Sequence, residues 1–242
     1  MPEAYRKQLT VTSSECDRFQ RLRMSALFSI LQEVSITDVE LTGLTRDRTL
    51  DRGFLWVISR MKVEMNRPIT YGETITVSTS PGERMHMVFP RYYTIIDAEG
   101  EVVLRGSALW TLINMDTREA INPEKENIEI EGIEEEDRID LPMGLKNIPA
   151  DNPASIRQAL YSNIDLNGHM NNTRYLDWID DLFDMHFHEV TVVDQFQINY
   201  VQEVEYGEKV ELCYEYCQGT YRIDGNASGH TIFSAYMRTK KL

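Results

Sequence analysis

The second half of this chain repeats the order of the first: a polar turn, an apolar stripe at helix spacing, then a run of strands. Sliding the sequence by 148 residues lays Asp17 on Asp165, Leu27 on Tyr175, Phe28 on Leu176 and Leu31 on Ile179. Beyond the helices the offset shrinks to 135, laying Val63 on Ile198 and Tyr71-Gly72-Glu73 on Tyr206-Gly207-Glu208. The identities are few, so the shared order of elements carries the comparison. A chain made of two such units has two sheets to cover, and each helix can cover one face of one of them.

Within the first unit, residues 5–12 read as a strand. Leu27, Phe28, Leu31 and Val34 recur at helix spacing, which predicts a helix over 25–41 that stops near Gly43. Strands are predicted over 53–64, 73–80, 85–97 and 101–114, as an antiparallel meander broken by Pro68, Gly72 and Gly100. The second unit opens with a strand or strap over 154–162. A helix over 171–183 follows, with Tyr175, Trp178, Ile179 and Leu182 on its apolar face, then strands over 194–201, 209–216, 220–224 and 231–238. Between the units, residues 122–139 are acidic and without period, the composition of a linker or surface strap. The expected division is residues 1–124, an acidic linker or strap over 125–152, and residues 153–242. The fold class is α+β: two tandem hotdog units, each a long helix wrapped by an antiparallel sheet, joined edge to edge as one pseudo-dimeric sheet.

The chemistry concentrates in Tyr161–Asp181, YSNIDLNGHMNNTRYLDWIDD. Asp165, Asn167 and His169 alternate, so an extended backbone puts a carboxylate, an amide and an imidazole on one side. Asn171 or Asn172 can cap the helix that follows, whose first N–H groups could hold a developing oxyanion. A calcium loop fails on Met170, where such loops turn on glycine, and on Leu176, where they need glutamate. A metal on His169 finds no partner at ligand spacing. A polar helix cap without chemistry stays open, because Asx residues cap helices routinely. In the first unit Phe19 and Arg21 occupy the places of Asn167 and His169, so a single site per chain is expected.

Charge narrows the partners. The net charge is −14, of which residues 1–120 contribute −1 (15 basic, 16 acidic) and residues 121–242 contribute −13 (10 basic, 23 acidic). That excess argues against nucleic acid. Most of the arginine lies in the first half, clustered at Arg18, Arg21, Arg23 and at Arg46, Arg48, Arg52, where an acidic partner should dock. No apolar run approaches membrane-spanning length, and no secretory leader is visible. Cys16, Cys213 and Cys217 form no disulfide framework, which fits a reducing, cytoplasmic setting.

At this point the sequence resembles the acyl-acyl-carrier-protein thioesterases of bacteria and plant plastids, over nearly its whole length. DLNGHMNNTRYLDWI is similar to the family's D-x-N-x-H-x-N-N-x-x-Y-x-x-W segment. LWVISRMKVEMNRPITYGETITVSTS resembles its first-unit Trp-containing strand, and INYVQEVEYGEKVEL the later strand that bears a further acidic residue. The resemblance implies a tandem hotdog whose site residues are Asp165, Asn167, His169 and Glu203. It also implies a fatty acyl chain on acyl carrier protein as substrate, with free fatty acid and holo carrier as products. The family commonly has cysteine directly after the glutamate; here it is Val204, so a thiol nucleophile at that point is ruled out and water is favoured.

On that reading Glu203 is the candidate base, with its pKa expected to rise through desolvation beside an apolar acyl tunnel. Asn167 and His169 hold the water, carbonyl or oxyanion, and Asp165 orients them. The division of roles between Glu203 and Asp165 stays open. Backbone N–H groups over 168–171 are further candidate donors. No metal or organic cofactor is needed. The acidic carrier is expected to dock on the arginine clusters, and the chain to be a monomer or homodimer. Rival expectations are an acyl-CoA thioesterase of the wider hotdog group and a non-catalytic acyl-binding sensor. A hotdog dehydratase is disfavoured because Met170-Asn171-Asn172 replaces the Phe-Pro-Gly of its motif.

Overall fold

The structure is a computed structural model that describes residues 3–134, 137–149 and 153–242. Ten strands form one sheet: β1 (Tyr5–Thr10), β2 (Phe54–Met65), β3 (Thr74–Pro81), β4 (Val88–Ile96), β5 (Val102–Asn114), β6 (Ser155–Gln158), β7 (Thr191–Tyr200), β8 (Lys209–Cys217), β9 (Thr220–Ala227) and β10 (His230–Lys241). Their order across the sheet is β1-β3-β4-β5-β2-β7-β10-β9-β8-β6, and the paired neighbours are antiparallel. Read outward from the middle, both units run in the same sequence. This is the tandem hotdog with one continuous sheet.

One detail differs from the expected meander. β2 does not lie beside β3; it pairs with β5 along its length and with β7 across the centre, from Arg60↔Asn199 to Glu64↔Gln195. Each unit thereby presents its inner strand to the other, and the two inner edges cover one another over Arg60–Glu64 and Gln195–Asn199.

The helices follow the apolar stripes. α1 (Met24–Leu41) buries Leu27, Phe28, Leu31 and Val34, the residues its periodicity singled out, and ends just before Gly43, whose φ is +89°. Phe28 meets Phe196 of the second unit edge-on at 5.7 Å, so the two halves share one core. Arg91 on β4 ties α1 to the sheet through Asp38 at 2.6 Å. A short helix that the sequence left unassigned, α2 (Arg46–Asp51), starts where the Thr45 hydroxyl accepts the Arg48 N–H.

The second central helix, α3 (Arg174–Asp180), is seven residues, shorter than the stretch over 171–183 that periodicity predicts and not the long helix expected of each unit. Its stripe is buried as expected at Tyr175, Trp178 and Ile179. It stops because Asp180, Asp181 and Asp184 crowd negative charge onto a helix end that already carries negative partial charge. The Asp184 carboxylate instead accepts from the Phe187 N–H at 2.8 Å and starts α4 (Met185–Val190). Asn171 does not cap α3. Its side-chain oxygen takes the N–H and hydroxyl of Thr173, the residue just before the helix, and no N–H of the helix itself.

The acidic segment between the units lies on the sheet as a strap. Ile128 and Ile148 are buried, Ile133 N–H donates to Pro81 O, and Ile148 N–H donates to the Asp224 carboxylate. The carbonyls of Asp140 and Met143 accept from Ser107, Gln197 and Asn199, which pairs the polar groups of the central strands. Of the 125–152 segment, residues 135, 136 and 150–152 lie outside the described residues.

Candidate active site

The stretch carrying Asp165, Asn167 and His169 is a tight turn, not extended backbone. Ile164 and Met170 bridge, Asp165 N–H donates to His169 O at 2.8 Å, and Gly168 takes a φ of +83° that a side chain would strain. The Asp165 carboxylate accepts the Asn167 N–H at 2.7 Å. It therefore shapes the turn that presents Asn167 and His169, acting through backbone groups. Asp17 builds the same turn in the first unit, accepting from Phe19 N–H at 2.8 Å, with Gln20 at φ +61° where the second unit has Gly168. Two 3-10 turns, Ser13–Glu15 and Tyr161–Asn163, precede these turns at the same spacing.

The loop after β7 brings Glu203 to the turn. Val204 is fully buried and its carbonyl accepts from Met170 N–H at 2.8 Å, docking the loop on the turn's exit. Glu203 Oε2 then lies 3.7 Å from His169 Nε2. Two predicted features of Glu203 are corrected. It sits in a loop beyond the strand, and its side chain is 39% exposed and ion-paired with Arg118. In place of the apolar wall expected there, a guanidinium lies against its carboxylate.

Arg118 was not singled out by the sequence, where it is a lone arginine in a turn. It reaches both Glu203 Oε2 and, at 3.2 Å, His169 Nδ1. Arg46, expected in a docking cluster, instead donates to Asn167 Oδ1 at 3.0 Å. That fixes the amide, leaving its NH2 as the free donor end. The backbone donors expected over 168–171 are partly spoken for: Gly168 N–H goes to Asp165 O, Met170 N–H to Val204 O and Asn171 N–H to Asn163 O. Other expected docking arginines are also engaged within the chain. Arg21 pairs with Asp17 and the carbonyls of His188 and Thr191, Arg48 with Gly43 O, and Arg52 with Glu126.

Asn167 and Arg46 belong to the lining of a cavity of about 130 Å³ between α1, α2 and the first-unit sheet. Its walls are apolar and aromatic at Ile36, Val39, Leu55, Trp56, Phe89 and Trp110. A larger, open cleft of about 1070 Å³ lies around the first unit's turn, with Asp17, Arg21, Asp177, Asp180 and His188 among its residues. That cleft holds Phe19 and Arg21 where the second-unit turn has Asn167 and His169, so the larger opening lies at the turn without the amide and imidazole.

Fold and turn together define a tandem hotdog protein whose polar turn in one unit opens on an apolar cavity in the other. Comparison with known sequences gives the family. The acyl-ACP thioesterase N-terminal domain matches residues 2–130 and the acyl-ACP thioesterase C-terminal domain matches residues 151–238, and the chain belongs to this family. It is 29% identical over 194 residues to a chloroplastic palmitoyl-acyl carrier protein thioesterase of Cuphea hookeriana, covering 72% of this chain and 46% of that one. It is 25% identical over 218 residues to a dodecanoyl-[acyl-carrier-protein] hydrolase of Cinnamomum camphora, covering 82% and 56%. The chain thus spans about half the length of the plant relatives it matches. An acyl-ACP thioesterase structure from Bacteroides thetaiotaomicron shares the fold at a TM-score of 0.88 with 21% identity, covering 98% of each chain.

Proposed function

We propose that this chain hydrolyses the thioester of a fatty acyl chain carried on acyl carrier protein, releasing free fatty acid and holo carrier. The observation that carries this is that Glu203 comes within 3.7 Å of His169 on the same turn whose Asn167 lines the apolar cavity of the other unit. The names of the family relatives support the same substrate class. In this reading residues 1–124 supply the acyl cavity, 125–152 the strap, and 153–242 the reacting groups. The acyl chain enters between α1 and the sheet, with its thioester left at Asn167. Water gives a proton to the Glu203 carboxylate as its oxygen attacks the carbonyl carbon. The electrons displaced onto the carbonyl oxygen are held by the Asn167 NH2 and the His169 ring. Collapse expels the thiolate of the carrier's arm, which takes the proton back from Glu203.

The test compares hydrolysis of palmitoyl-carrier protein and palmitoyl-CoA by wild type and Glu203→Gln. The expected result is preference for the carrier-linked substrate, with the variant slower by roughly two or more decades, the range of general-base catalysis. Equal rates on CoA would move the assignment to acyl-CoA hydrolysis. A fully active variant would take Glu203 out of the mechanism.

A further inference from the structure

Arg118 touches both groups around which the proposed reaction turns, and its chemistry restricts one of them. A guanidinium has N–H donors and no acceptor, and it does not give up its charge in a protein. The same terminal nitrogen of Arg118 donates to Glu203 Oε2 and lies 3.2 Å from His169 Nδ1. A proton on Nδ1 would set two N–H groups against each other at that distance. Nδ1 therefore accepts, and the single proton of the neutral ring sits on Nε2.

We propose that Arg118 is a positioning residue that holds neutral His169 as the Nε2–H tautomer, a role that rests on the hydrolase reading above. The consequence falls on the free end of the ring. Nε2 is 3.7 Å from Glu203 Oε2, too far for a hydrogen bond. Its proton is not consumed by the carboxylate, which Arg118 holds to its own side, and it is available to the carbonyl oxygen of a substrate. With the opposite tautomer, the Nε2 lone pair would face that oxygen and repel the charge that develops there.

The backbone sets the aim of Arg118 beforehand. Its φ is +59°, in the left-handed region. Its N–H donates to Asn114 O at 3.0 Å, and the Asn114 side chain accepts from Asp116 N–H and Thr117 N–H at 2.9 Å each. The turn after β5 is thus closed by its own hydrogen bonds and delivers the arginine across the gap to the second unit's site. This gives the first unit a part in the chemistry besides the cavity wall.

The experiment is nitrogen NMR of the histidine rings in the full chain at about pH 8, where a neutral imidazole predominates, with kinetics on the same samples. His169→Gln assigns its signals. In wild type the His169 Nδ1 signal should be that of an unprotonated nitrogen and Nε2 that of a protonated one. Arg118→Met should mix the two tautomers and lower kcat on the order of 10- to 100-fold, the size of effect seen when a partner that orients a metal-bound histidine is lost, with KM little changed. Arg118→Lys, which keeps the charge and a donor, should recover the wild-type spectrum and part of the rate. A proton on Nδ1 in wild type, or an Arg118→Met spectrum identical to wild type, overturns the proposal. A wild type that cleaves no thioester but shows the Nε2–H tautomer, lost in Arg118→Met, supports it and sinks only the hydrolase reading.

Discussion

Asp165 shows how a residue of a motif can act through backbone. Its carboxylate accepts the Asn167 N–H at 2.7 Å and closes the turn that presents both Asn167 and His169. An asparagine side chain can accept the same hydrogen bond, since both residues build this kind of turn. Asp165→Asn should therefore keep kcat/KM within about an order of magnitude of wild type, while Asp165→Ala, which has no acceptor, should lose far more; general-base loss spans roughly 100- to 10,000-fold. If the asparagine variant is as dead as the alanine variant, the negative charge itself is needed and Asp165 takes a share of the base role now given to Glu203. Asp165, Asn167 and His169 were legible as candidates because they sit within a short segment with its own spacing, and Glu203 became a candidate only through family resemblance. Arg118 and Arg46 were not, because each reaches the site from more than 50 positions away in the chain and nothing local distinguishes it from a surface arginine.

Among the elements, α3 carries a cost at its C-terminal end. Burial, and then the neighbouring Asp177, Asp181 and Asp17, push the Asp180 carboxyl up to about 7, against the opposing pull of Arg23. Between its ordinary value of 3.8 and that value, the unfolded chain releases this proton while the folded chain keeps it. Folding is thus increasingly disfavoured by this group as pH rises from about 4, and the penalty is complete above about 7. Asp180→Asn should leave stability unchanged at pH 4 and raise it at pH 8. The gain is at most about 4 kcal/mol, since each tenfold of proton affinity is worth ~1.4 kcal/mol. Urea unfolding midpoints at the two pH values check this. An equal gain at both would mean that packing, not charge, sets the effect. The same acidic residues explain why periodicity overran the helix: Leu182 continues the apolar stripe, but the carboxylates around it do not tolerate a helix C-terminus.

For the whole molecule, the two units have no separable cores. β2 and β7 pair at the centre of the sheet, Phe28 packs on Phe196, and one buried cluster includes residues of both halves. Removing either unit would strip the partner of its inner strand and expose that apolar surface. We expect one cooperative unfolding transition, with circular dichroism and tryptophan fluorescence giving the same urea midpoint. The fluorescence reports from both units, through Trp56 and Trp110 in one and Trp178 in the other. Two separated transitions would show that the central strand pairing is weaker than the contacts within each unit. Arg21 anchors the first unit's turn to the carbonyls of His188 and Thr191, the place answering to His169 in the second, so that turn serves structure.

The repeat, the buried stripe of α1, most strand positions and the polar turn follow from the sequence alone, because local periodicity and hydrogen-bonding side chains act over a few residues. The placement of β2 between β5 and β7 was decided only in three dimensions, since antiparallel pairing is indifferent to sequence distance and is settled by which edges need covering. The same holds for the electrostatics of the site. Glu203 reads as a base in an apolar tunnel until tertiary contact brings Arg118 against it, and charge effects depend on distance in space, which no spacing along the chain reports.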